Sequence, residues 1–327
     1  MLNQSKKVYL VTGAAGFIGA RFVESCHEKG IHIISVDKKA HFSMRPEKSH
    51  IDYGQIVDRA HLFAWLDLEH PVVDAVVHLG AVTDTRASDL SLLSELNTEY
   101  SKKLWNYAKK IEIPFIYASS AATYGSGAYG YQDDERFIPC LQPLNAYGDS
   151  KQKFDLWALE QEKLGQVPSS WVGFKFFNVY GFGERHKGFM SSVVLHAFEE
   201  IQSQGKVTLF KSHRPDVAHG DQKRDFVFVD DVVKVLHFAI EKPIRRGIFN
   251  LGTGKARAFL DLAKAVFKAL DLPEKIQFQD TPLEIRQQYQ YFTQATMDRL
   301  REEGFIDPFT TLESGVEQSV QRFLLFV

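Results

Sequence analysis

The stretch VYLVTGAAGFIG, residues 8–19, determines the fold class. It begins with a short apolar run typical of a buried strand, and it continues into a helical pattern that runs to about Lys29. Gly13, Gly16 and Gly19 lie at the junction, in the spacing Gly-x-x-Gly-x-x-Gly. A glycine-rich turn between a strand and a helix brings backbone N–H groups and the helix N-terminus to a pyrophosphate. The stretch therefore predicts a dinucleotide-binding unit.

The glycines of this junction have different predicted roles. Gly13 permits the tight turn, Gly16 lets the backbone approach a phosphate, and Gly19 lets the helix pack closely on its strand. Phe17 and Ile18, which lie between Gly16 and Gly19, begin the helix. We predict that all five residues contact the dinucleotide.

Continuous apolar runs recur along the chain and alternate with longer helical patterns. Such runs are expected for parallel strands that helices cover on both faces. We therefore predict an α/β fold with a doubly wound parallel (Rossmann) sheet. Strands are expected at residues 8–11, 32–36, 75–79, 114–118, 171–176, 224–228 and 247–250. Helices are expected at residues 150–164, 191–204 and 231–240.

The chain contains no linker, so a second, smaller domain is expected to be interleaved with the first. We predict an NADP-binding Rossmann domain from residues 1–177 plus about 225–257. A C-terminal substrate-binding domain would comprise residues 178–224 plus 258–327. The polar stretch 211–222 is expected to be a long surface loop, of the kind that often carries function.

The composition narrows the class of protein. The 327 residues are 44% hydrophobic and carry 39 basic against 41 acidic side chains, a net charge of -2. This balance favours neither nucleic acid nor an anionic membrane as a partner, so a small-molecule ligand is expected. No apolar run approaches the roughly 18 residues that span a bilayer, and the N-terminus lacks a signal-peptide pattern. We therefore expect a cytoplasmic protein.

The cysteines and histidines do not form a metal-ligand pattern. Cys26 and Cys140 are far apart and lack Cys-x-x-Cys spacing. The polar loop clusters histidines and aspartates, at His213, Asp216, His219 and Asp221, and solvation of the loop explains them. We predict no metal site.

Asp37 ends the second strand, where an acidic residue can bind the adenosine ribose hydroxyls. On its own Asp37 favours NAD. Lys38 and Lys39 follow directly, and they can neutralise a 2′-phosphate that Asp37 would repel, which favours NADP. Both cofactors stay open at this point, with Asp37 and Lys38 as contacts. Gln55 and Ile56 are expected in a loop that covers the adenine.

Tyr147 and Lys151 lie on one face of a predicted helix. A tyrosine that acts as a base near neutrality needs its pKa lowered from about 10 by roughly 3 units. The Lys151 ammonium and an oxidised nicotinamide both favour the phenolate. Ser119 and Ser120 end the preceding strand, and one of them would hold the reacting oxygen.

Several further segments are more specific than the glycine turn. They are YASSAATYG (117–125), FFNVYG (176–181), HKG (186–188), KRDFV (223–227), IFNLGTG (248–254) and YQYFTQA (289–295). Over nearly the whole chain they resemble the ADP-glyceromanno-heptose 6-epimerase family of extended short-chain dehydrogenases/reductases. The resemblance implies NADP as cofactor, an ADP-heptose substrate whose product enters the lipopolysaccharide core, and a homo-oligomer, a pentamer in that family.

The resemblance also implies roles for individual residues. Tyr147 would be one acid/base and Lys187 a second, on the opposite face of the sugar carbon, while Ser120 matches the catalytic serine. Substrate contacts are implied for Ser120, Asn178, Phe189, His196, Phe210, Arg224 and Tyr289. Cofactor contacts are implied for Gly80, Ala81, Asn97, Lys151, Val179 and Lys187. By spacing alone, Lys187 would be a solvated loop lysine, His196 a helix-face histidine and Tyr289 a core tyrosine.

Some positions depart from the family pattern. Phe189 stands where the family commonly has a small serine, and Gln288 replaces an arginine before Tyr289. Lys175 replaces the usual arginine before Asn178, which keeps the charge but loses the bidentate geometry. The reaction type is therefore more secure than the identity of the sugar.

The expected reaction oxidises the C6 hydroxyl of an ADP-heptose to a ketone and reduces it from the other face. It converts the D-glycero to the L-glycero form with no net redox change. The alternatives are another sugar-nucleotide epimerase of the UDP-hexose 4-epimerase type, a dehydratase, and a non-catalytic dinucleotide-binding module. Ala121 and Ala122 supply no acid for dehydration, and the presence of both Tyr147 and Lys151 argues against a non-catalytic module.

Overall fold

A computed structural model of the chain describes residues 6–87, 89–242, 244–286 and 289–326. The strands are β1 (Val8–Thr12), β2 (His32–Asp37), β3 (Gln55–Asp58), β4 (Ala75–His78), β5 (Phe115–Ser120), β6 (Trp171–Phe176), β7 (Asn178–Tyr180), β8 (Val207–Phe210), β9 (Lys223–Phe228), β10 (Arg246–Leu251), β11 (Ala256–Ala258) and β12 (Ile276–Gln279). The α-helices are α1 (Phe17–Glu28), α2 (Lys39–Ser43), α3 (Leu62–Glu69), α4 (Leu90–Leu93), α5 (Tyr100–Lys110), α6 (Ala146–Lys163), α7 (Val193–Gln204), α8 (Val229–Glu241), α9 (Phe259–Ala269), α10 (Leu283–Arg286), α11 (Asp298–Glu302) and α12 (Leu312–Leu324). A π-helical segment covers Ser94–Glu99, and 3₁₀ segments cover Pro46–Lys48, Ala121–Tyr124, Glu135–Cys140 and Arg185–Met190.

A seven-stranded sheet in the order β10-β6-β5-β4-β1-β2-β3 forms the centre of the fold. Strand β1 pairs in parallel with β2 and with β4, and β4 pairs in parallel with β5. Because helices flank this parallel sheet, the predicted doubly wound α/β fold is confirmed. The strand order changes direction on either side of β1, and ligands of such sheets bind outside the strand ends at this point.

One expectation about this sheet is wrong. Gln55 and Ile56, expected in a loop, begin the edge strand β3, which pairs in parallel with β2. Both side chains are exposed, with Ile56 44% exposed. The segment therefore lacks the continuous apolar run that identifies the inner strands, and its pairing with β2 is what makes it a strand.

An aromatic cluster packs α5 and α6 onto the central sheet. The Trp105 ring on α5 lies 5.7 Å from Phe115 on β5 and 5.2 Å from Trp171 on β6, centroid to centroid. On α6, Phe154 and Trp157 lie 6.3 Å and 5.7 Å from the same Trp105 ring. Trp105 is fully buried. The cluster therefore fixes the helix that carries Tyr147 and Lys151.

Strand β9 belongs to a separate three-stranded sheet, in the order β11-β9-β7. Asp225 on β9 is completely buried and accepts hydrogen bonds from the N–H groups of Thr253 (2.7 Å), Gly254 (2.9 Å) and Ala295 (3.0 Å). Burial raises the pKa of Asp225, and these hydrogen bonds oppose the rise. The carboxylate therefore fastens two chain segments to β9, one at residues 253–254 and one at Ala295. Strands β12 and β8 form a further two-stranded sheet.

The chain divides into two compact units, each made of several segments. One comprises residues 1–123, 134–175 and 233–249, and the other comprises residues 124–133, 176–232 and 250–327. These units do not have the same boundaries as the two domains predicted from the sequence. The assignment of substrate binding to one domain stays a prediction. Residues 211–222 form neither helix nor strand. Within the described part of the chain, no helix has the length and apolar character needed to cross a membrane.

Candidate active site

The glycine turn joins the end of β1 to the end of β4. Gly13 has φ +68°, and a Cβ atom there would lie 2.6 Å from the backbone nitrogen of Gly80. That nitrogen is also a donor to Thr12 Oγ1, at 3.2 Å. A Cβ atom on Gly19 would overlap the carbonyl oxygen of Gly13. Only glycine therefore fits at Gly13 and Gly19, and Gly80 lies beside the turn.

This turn fits the pyrophosphate of a dinucleotide. Helix α1 begins at Phe17, its N-cap residue Gly16 makes no side-chain hydrogen bond, and its first turn contains no acidic residue. No acidic side chain in the first turn therefore offsets the positive end of the helix dipole, which favours binding of a phosphate. Ile18 lies in the same first turn, and Ala81 follows Gly80 after β4.

Asp37 is engaged by the protein itself. Its carboxylate accepts hydrogen bonds from the N–H groups of Ala15 (3.2 Å) and Lys38 (2.8 Å). A third contact joins Asp37 Oδ1 to His41 Nδ1 at 2.8 Å. Asp37 therefore orders the glycine turn, whatever further contact it makes with a ribose.

Two basic residues near the turn were missed by the sequence analysis. Arg45 donates a hydrogen bond to the carbonyl of Ala15, and Lys48 Nζ donates to the carbonyl of Gly16 at 2.8 Å. Lys48 is 2% exposed, whereas Lys38 and Lys39 are exposed. Burial lowers the pKa of Arg45, and the nearby Asp37 opposes this. The chain folds back onto the turn between β2 and β3, and no local pattern predicts that.

The two serines at the end of β5 have different partners. Ser120 Oγ accepts a hydrogen bond from the N–H of Ala122 at 3.1 Å, and the Ser120 side chain is hydrogen-bonded to Tyr147. Ser119 Oγ instead donates to Asp155 at 2.7 Å. This arrangement favours Ser120 as the serine that holds a reacting oxygen beside Tyr147.

Burial shifts the pKa of both Tyr147 and Lys151. Burial raises the pKa of Tyr147, the hydrogen bond with Ser120 lowers it, and the charge of Asp155 raises it. The protein by itself therefore favours the phenol. Lys151 is 5% exposed and donates to the carbonyl of Ala118 at 2.8 Å. Burial lowers the pKa of Lys151 to about 8, and Asp155 opposes this shift.

Asn97 connects the π-helical segment to α6. It is 1% exposed, and its Nδ2 donates to Ser150 Oγ and to the carbonyl of Val82, each at 3.0 Å. Segments of π-helix occur frequently at functional sites. Because Ser150 precedes Lys151, Asn97 fixes the helix next to that lysine.

His78 on β4 is a second buried link at this edge. Its ring nitrogens contact Thr12 Oγ1 at 2.6 Å and Ser101 Oγ at 2.7 Å. Burial lowers the pKa of His78 to about 3, with Lys151 adding to the shift. The imidazole is therefore neutral near pH 7.

In the second unit, Arg224 lies among aromatic rings. Its guanidinium carbon is 5.7 Å from the Tyr289 ring centroid and 5.6 Å from that of Phe259. Phe210 contacts Tyr289 with centroids 6.4 Å apart. Arg224 is 9% exposed, and burial lowers its pKa. A planar cation held against aromatic faces can bind a phosphate through two parallel hydrogen bonds.

Lys187, Phe189 and His196 lie together in the same unit. Lys187 Nζ is 3.2 Å from Oε2 of Glu184, whose side chain is fully buried. Gly188 has φ +54° and interrupts the 3₁₀ segment, and the following Phe189 is 54% exposed. His196 Nε2 lies 3.2 Å from the Phe189 carbonyl oxygen. No local sequence pattern indicates that Glu184 holds Lys187.

The remaining predicted residues are placed as follows. Asn178 and Val179 begin β7, where Asn178 is exposed and pairs with Phe226 of β9. Gln288 lies outside the described residues. Among the residues that the structure does place, no group of His, Cys, Asp and Glu side chains is suited to hold a metal ion. Instead, His213 contacts the Tyr291 hydroxyl at 2.8 Å and Arg214 pairs with Asp216.

Comparison with known proteins finds relatives along the whole chain. Residues 9–252 match the family described as the NAD dependent epimerase/dehydratase family. The chain is 43% identical to the ADP-L-glycero-D-manno-heptose-6-epimerase of Nitratidesulfovibrio vulgaris, over 97% of this chain and 98% of the relative. It is 41% identical to the Fusobacterium nucleatum protein of that name, over 96% and 97%. The crystal structure of the Helicobacter pylori protein of that name has the same fold, with a TM-score of 0.80 and 24% identity over 98% of this chain and 97% of that chain.

The buried Lys151 amine should make stability depend on pH. Its pKa is 10.5 for an unperturbed lysine side chain and about 8 in the folded protein. Between pH 8 and pH 10.5 the unfolded chain therefore binds more protons than the folded chain. The free energy of unfolding should therefore rise with pH across this window, by up to about 3 kcal/mol relative to Lys151→Met. Urea unfolding between pH 8 and 10.5 measures the difference. Lys153→Met, which removes an exposed lysine from the same helix, should keep the rise, and equal pH dependence in wild type and Lys151→Met would contradict the assignment.

Proposed function

Because the chain belongs to the NAD dependent epimerase/dehydratase family, and within it to the ADP-L-glycero-D-manno-heptose-6-epimerases, we propose that it inverts C6 of an ADP-linked glycero-manno-heptose. The reaction converts the D-glycero to the L-glycero form through a 6-keto intermediate. The observation that carries the proposal is the 43% identity over 97% of the chain to a relative of that name. The chain uses a nicotinamide dinucleotide and acts on a nucleotide sugar.

In this proposal Tyr147 removes the proton of the C6 hydroxyl while Ser120 holds the oxygen. Lys151 stabilises the phenolate and positions the cofactor ribose. A bound nicotinamide would accept the hydride and supply it again, and its positive charge would offset the effect of burial on Tyr147. The hydrogen bond between Ser120 and Tyr147 supports this division of labour.

Lys187 is the second acid/base in this proposal. A ketone that is reduced from its opposite face needs a proton from the opposite direction, so one acid/base group does not serve both stereoisomers. The contact with the buried Glu184 carboxylate gives Lys187 a defined position. Gly80, Ala81, Asn97 and Val179 contact the cofactor.

The substrate diphosphate is assigned to Arg224, whose fork geometry suits phosphate oxygens. Tyr289 and Phe210 support this side chain. Asn178, Phe189 and His196 complete the substrate contacts. Because Phe189 is large and exposed, it is the residue whose contact with the sugar we expect to differ from the family.

The substrate assignment predicts inversion at C6 of ADP-D-glycero-manno-heptose. Purified protein should be incubated with this compound and, in parallel, with UDP- and GDP-hexoses, and the C6 and C4 configurations followed by NMR. Inversion at C6 of the heptose, with no change in the hexoses, is expected. Inversion only at C4 of a hexose would overturn the heptose assignment in favour of a 4-epimerase.

The two-base mechanism predicts different losses for two substitutions. Tyr147→Phe removes the acid/base that starts oxidation, so turnover should fall by at least about 1,000-fold. Lys187→Met should lower the rate of C6 inversion at least about 100-fold, because the second proton transfer loses its donor. Rates are measured by NMR on folded protein with bound nucleotide. Tyr107→Phe and Lys206→Met make the same changes on α5 and at the start of β8, and they should stay near wild type. A near-wild-type rate for either Tyr147→Phe or Lys187→Met would refute the assignment.

NADP is the proposed cofactor, since the bases Lys38, Arg45 and Lys48 lie around the turn and can favour an additional phosphate. The nucleotide released by denaturing purified protein should be NADP, identified by chromatography and mass. Lys38→Ala should weaken NADP binding about 10-fold more than NAD binding. Lys29→Ala, at the far end of α1, serves as the control. Release of NAD, with no selective effect at Lys38, would decide for NAD.

Family membership also supports a pathway, a location and an oligomeric state for the protein. The product supplies the heptose of the lipopolysaccharide core, the enzyme works in the cytoplasm, and it forms a homo-oligomer, a pentamer as in the family it resembles. All three rest on family membership.

A further inference from the structure

A buried carboxylate lies on the same face of α6 as Tyr147 and Lys151. Asp155 follows Lys151 by one helical turn and is completely buried. It accepts hydrogen bonds from Ser119 Oγ at 2.7 Å and from the Tyr117 hydroxyl at 2.9 Å. Asp155 therefore holds two residues of β5, immediately before Ser120.

Lys175 on β6 is the countercharge of Asp155. Its Nζ lies 2.9 Å from Asp155 Oδ2 and also donates to Thr123 Oγ1 at 2.6 Å. Lys175, like Asp155, has no exposed side-chain surface. A buried ion pair loses so much hydration that apolar residues of the same volume often stabilise a fold as well or better. Stability alone therefore does not account for this pair.

The position of the pair connects it to Tyr147. The Asp155 charge acts on both Tyr147 and Lys151, and it raises the pKa of each. An uncompensated carboxylate here would oppose formation of the Tyr147 phenolate, because two negative charges would share one buried region. Lys175 supplies the positive charge that compensates it.

Other titratable groups face this cluster from the surrounding elements. The charge of Lys151 acts on His78 of β4, and burial together with this charge lowers the pKa of His78 to about 3, so His78 carries no charge when Tyr147 titrates. Glu135 acts on Tyr117 and is itself paired with Arg246 at 2.7 Å. Tyr117 is kept a phenol because burial raises its pKa. The local charge balance is therefore set by Asp155, Lys175 and Lys151.

We propose that Asp155 and Lys175 are positioning residues for the Tyr147 acid/base: Asp155 holds the end of β5 that presents Ser120, and Lys175 cancels the field of Asp155 at Tyr147. This inference rests on the proposed role of Tyr147 as the acid/base.

The test is a charge-compensation series read out on Tyr147 itself. Protein with its nucleotide bound and with ¹³Cζ-labelled tyrosine is titrated by NMR, and the Tyr147 signal is identified by its loss in Tyr147→Phe. Lys175→Met should raise the pKa of Tyr147 by about one unit, and Asp155→Asn should lower it by a similar amount. The double variant Asp155→Asn/Lys175→Met should return close to wild type. Lys175→Arg, which keeps the charge, should leave the titration unchanged.

Activity measured on the same proteins gives a second readout. The kcat of Lys175→Met should fall about 10-fold at neutral pH with little change in KM, and the double variant should recover most of this loss. If Lys175→Met does not fold, the comparison of Asp155→Asn with the double variant carries the test, since the pKa of Tyr147 should be higher in the double variant. Folded variants that all titrate at the wild-type pKa would overturn the proposal and leave the pair a purely structural feature.

The NMR series separates this inference from the proposed function. A wild-type protein that inverts no heptose would refute the proposed substrate, while opposite shifts of the Tyr147 signal would still support the charge balance. Inversion of the heptose together with an unmoved Tyr147 signal would refute the role of the pair and leave the proposed function intact.

Discussion

Parallel pairing of β1 with β2 and β4, and of β4 with β5, is the constraint on which the cofactor site depends. Because parallel strands end at the same edge, this pairing collects residues that are far apart in the chain. The Gly13 turn follows β1, Asp37 ends β2, Gly80 follows β4 and Ser120 ends β5. The contact between Gly13 and Gly80 leaves no space for a side chain at this edge. The same closeness lets Asp37 hold the turn through the N–H of Ala15.

Helix α6 brings Tyr147 and Lys151 to that edge, and it buries the charges of Lys151 and Asp155. Lys151 is 5% exposed and Asp155 is completely buried, so each needs a partner within the fold. The carbonyl of Ala118 accepts from Lys151, while Lys175 neutralises Asp155. Phe154, one residue before Asp155, packs in the aromatic cluster around Trp105. The apolar contacts thus fix the helix, and the polar contacts fix the orientation of the face that carries Tyr147 and Lys151.

Strand β9 plays the corresponding part in the second unit. Its successive residues Arg224 and Asp225 point to opposite faces, as strand geometry requires. Asp225 has a structural role, because its carboxylate accepts hydrogen bonds from the N–H groups of Thr253, Gly254 and Ala295. Arg224 lies against the rings of Tyr289 and Phe259, and its Nη1 donates to the carbonyl of Lys223. A tightly hydrogen-bonded carboxylate and a cation held by aromatic rings therefore occupy opposite faces of one strand.

The fold class and the family follow from the amino-acid sequence alone. Periodicity and glycine spacing are local properties, so they predict the inner strands, the turn at Gly13 and the Tyr147–Lys151 pair from the sequence. The comparisons confirm the resemblance to heptose 6-epimerases. The folded structure was needed to show that Arg45 and Lys48 return to the glycine turn, that Glu184 holds Lys187, and that Lys175 neutralises Asp155. These contacts join residues through burial and charge pairing between separate elements, and such pairings leave no periodic pattern along the chain. Edge strand β3 was not predicted, because its side chains are partly exposed and form no continuous apolar run. Its pairing with β2 identifies it as a strand.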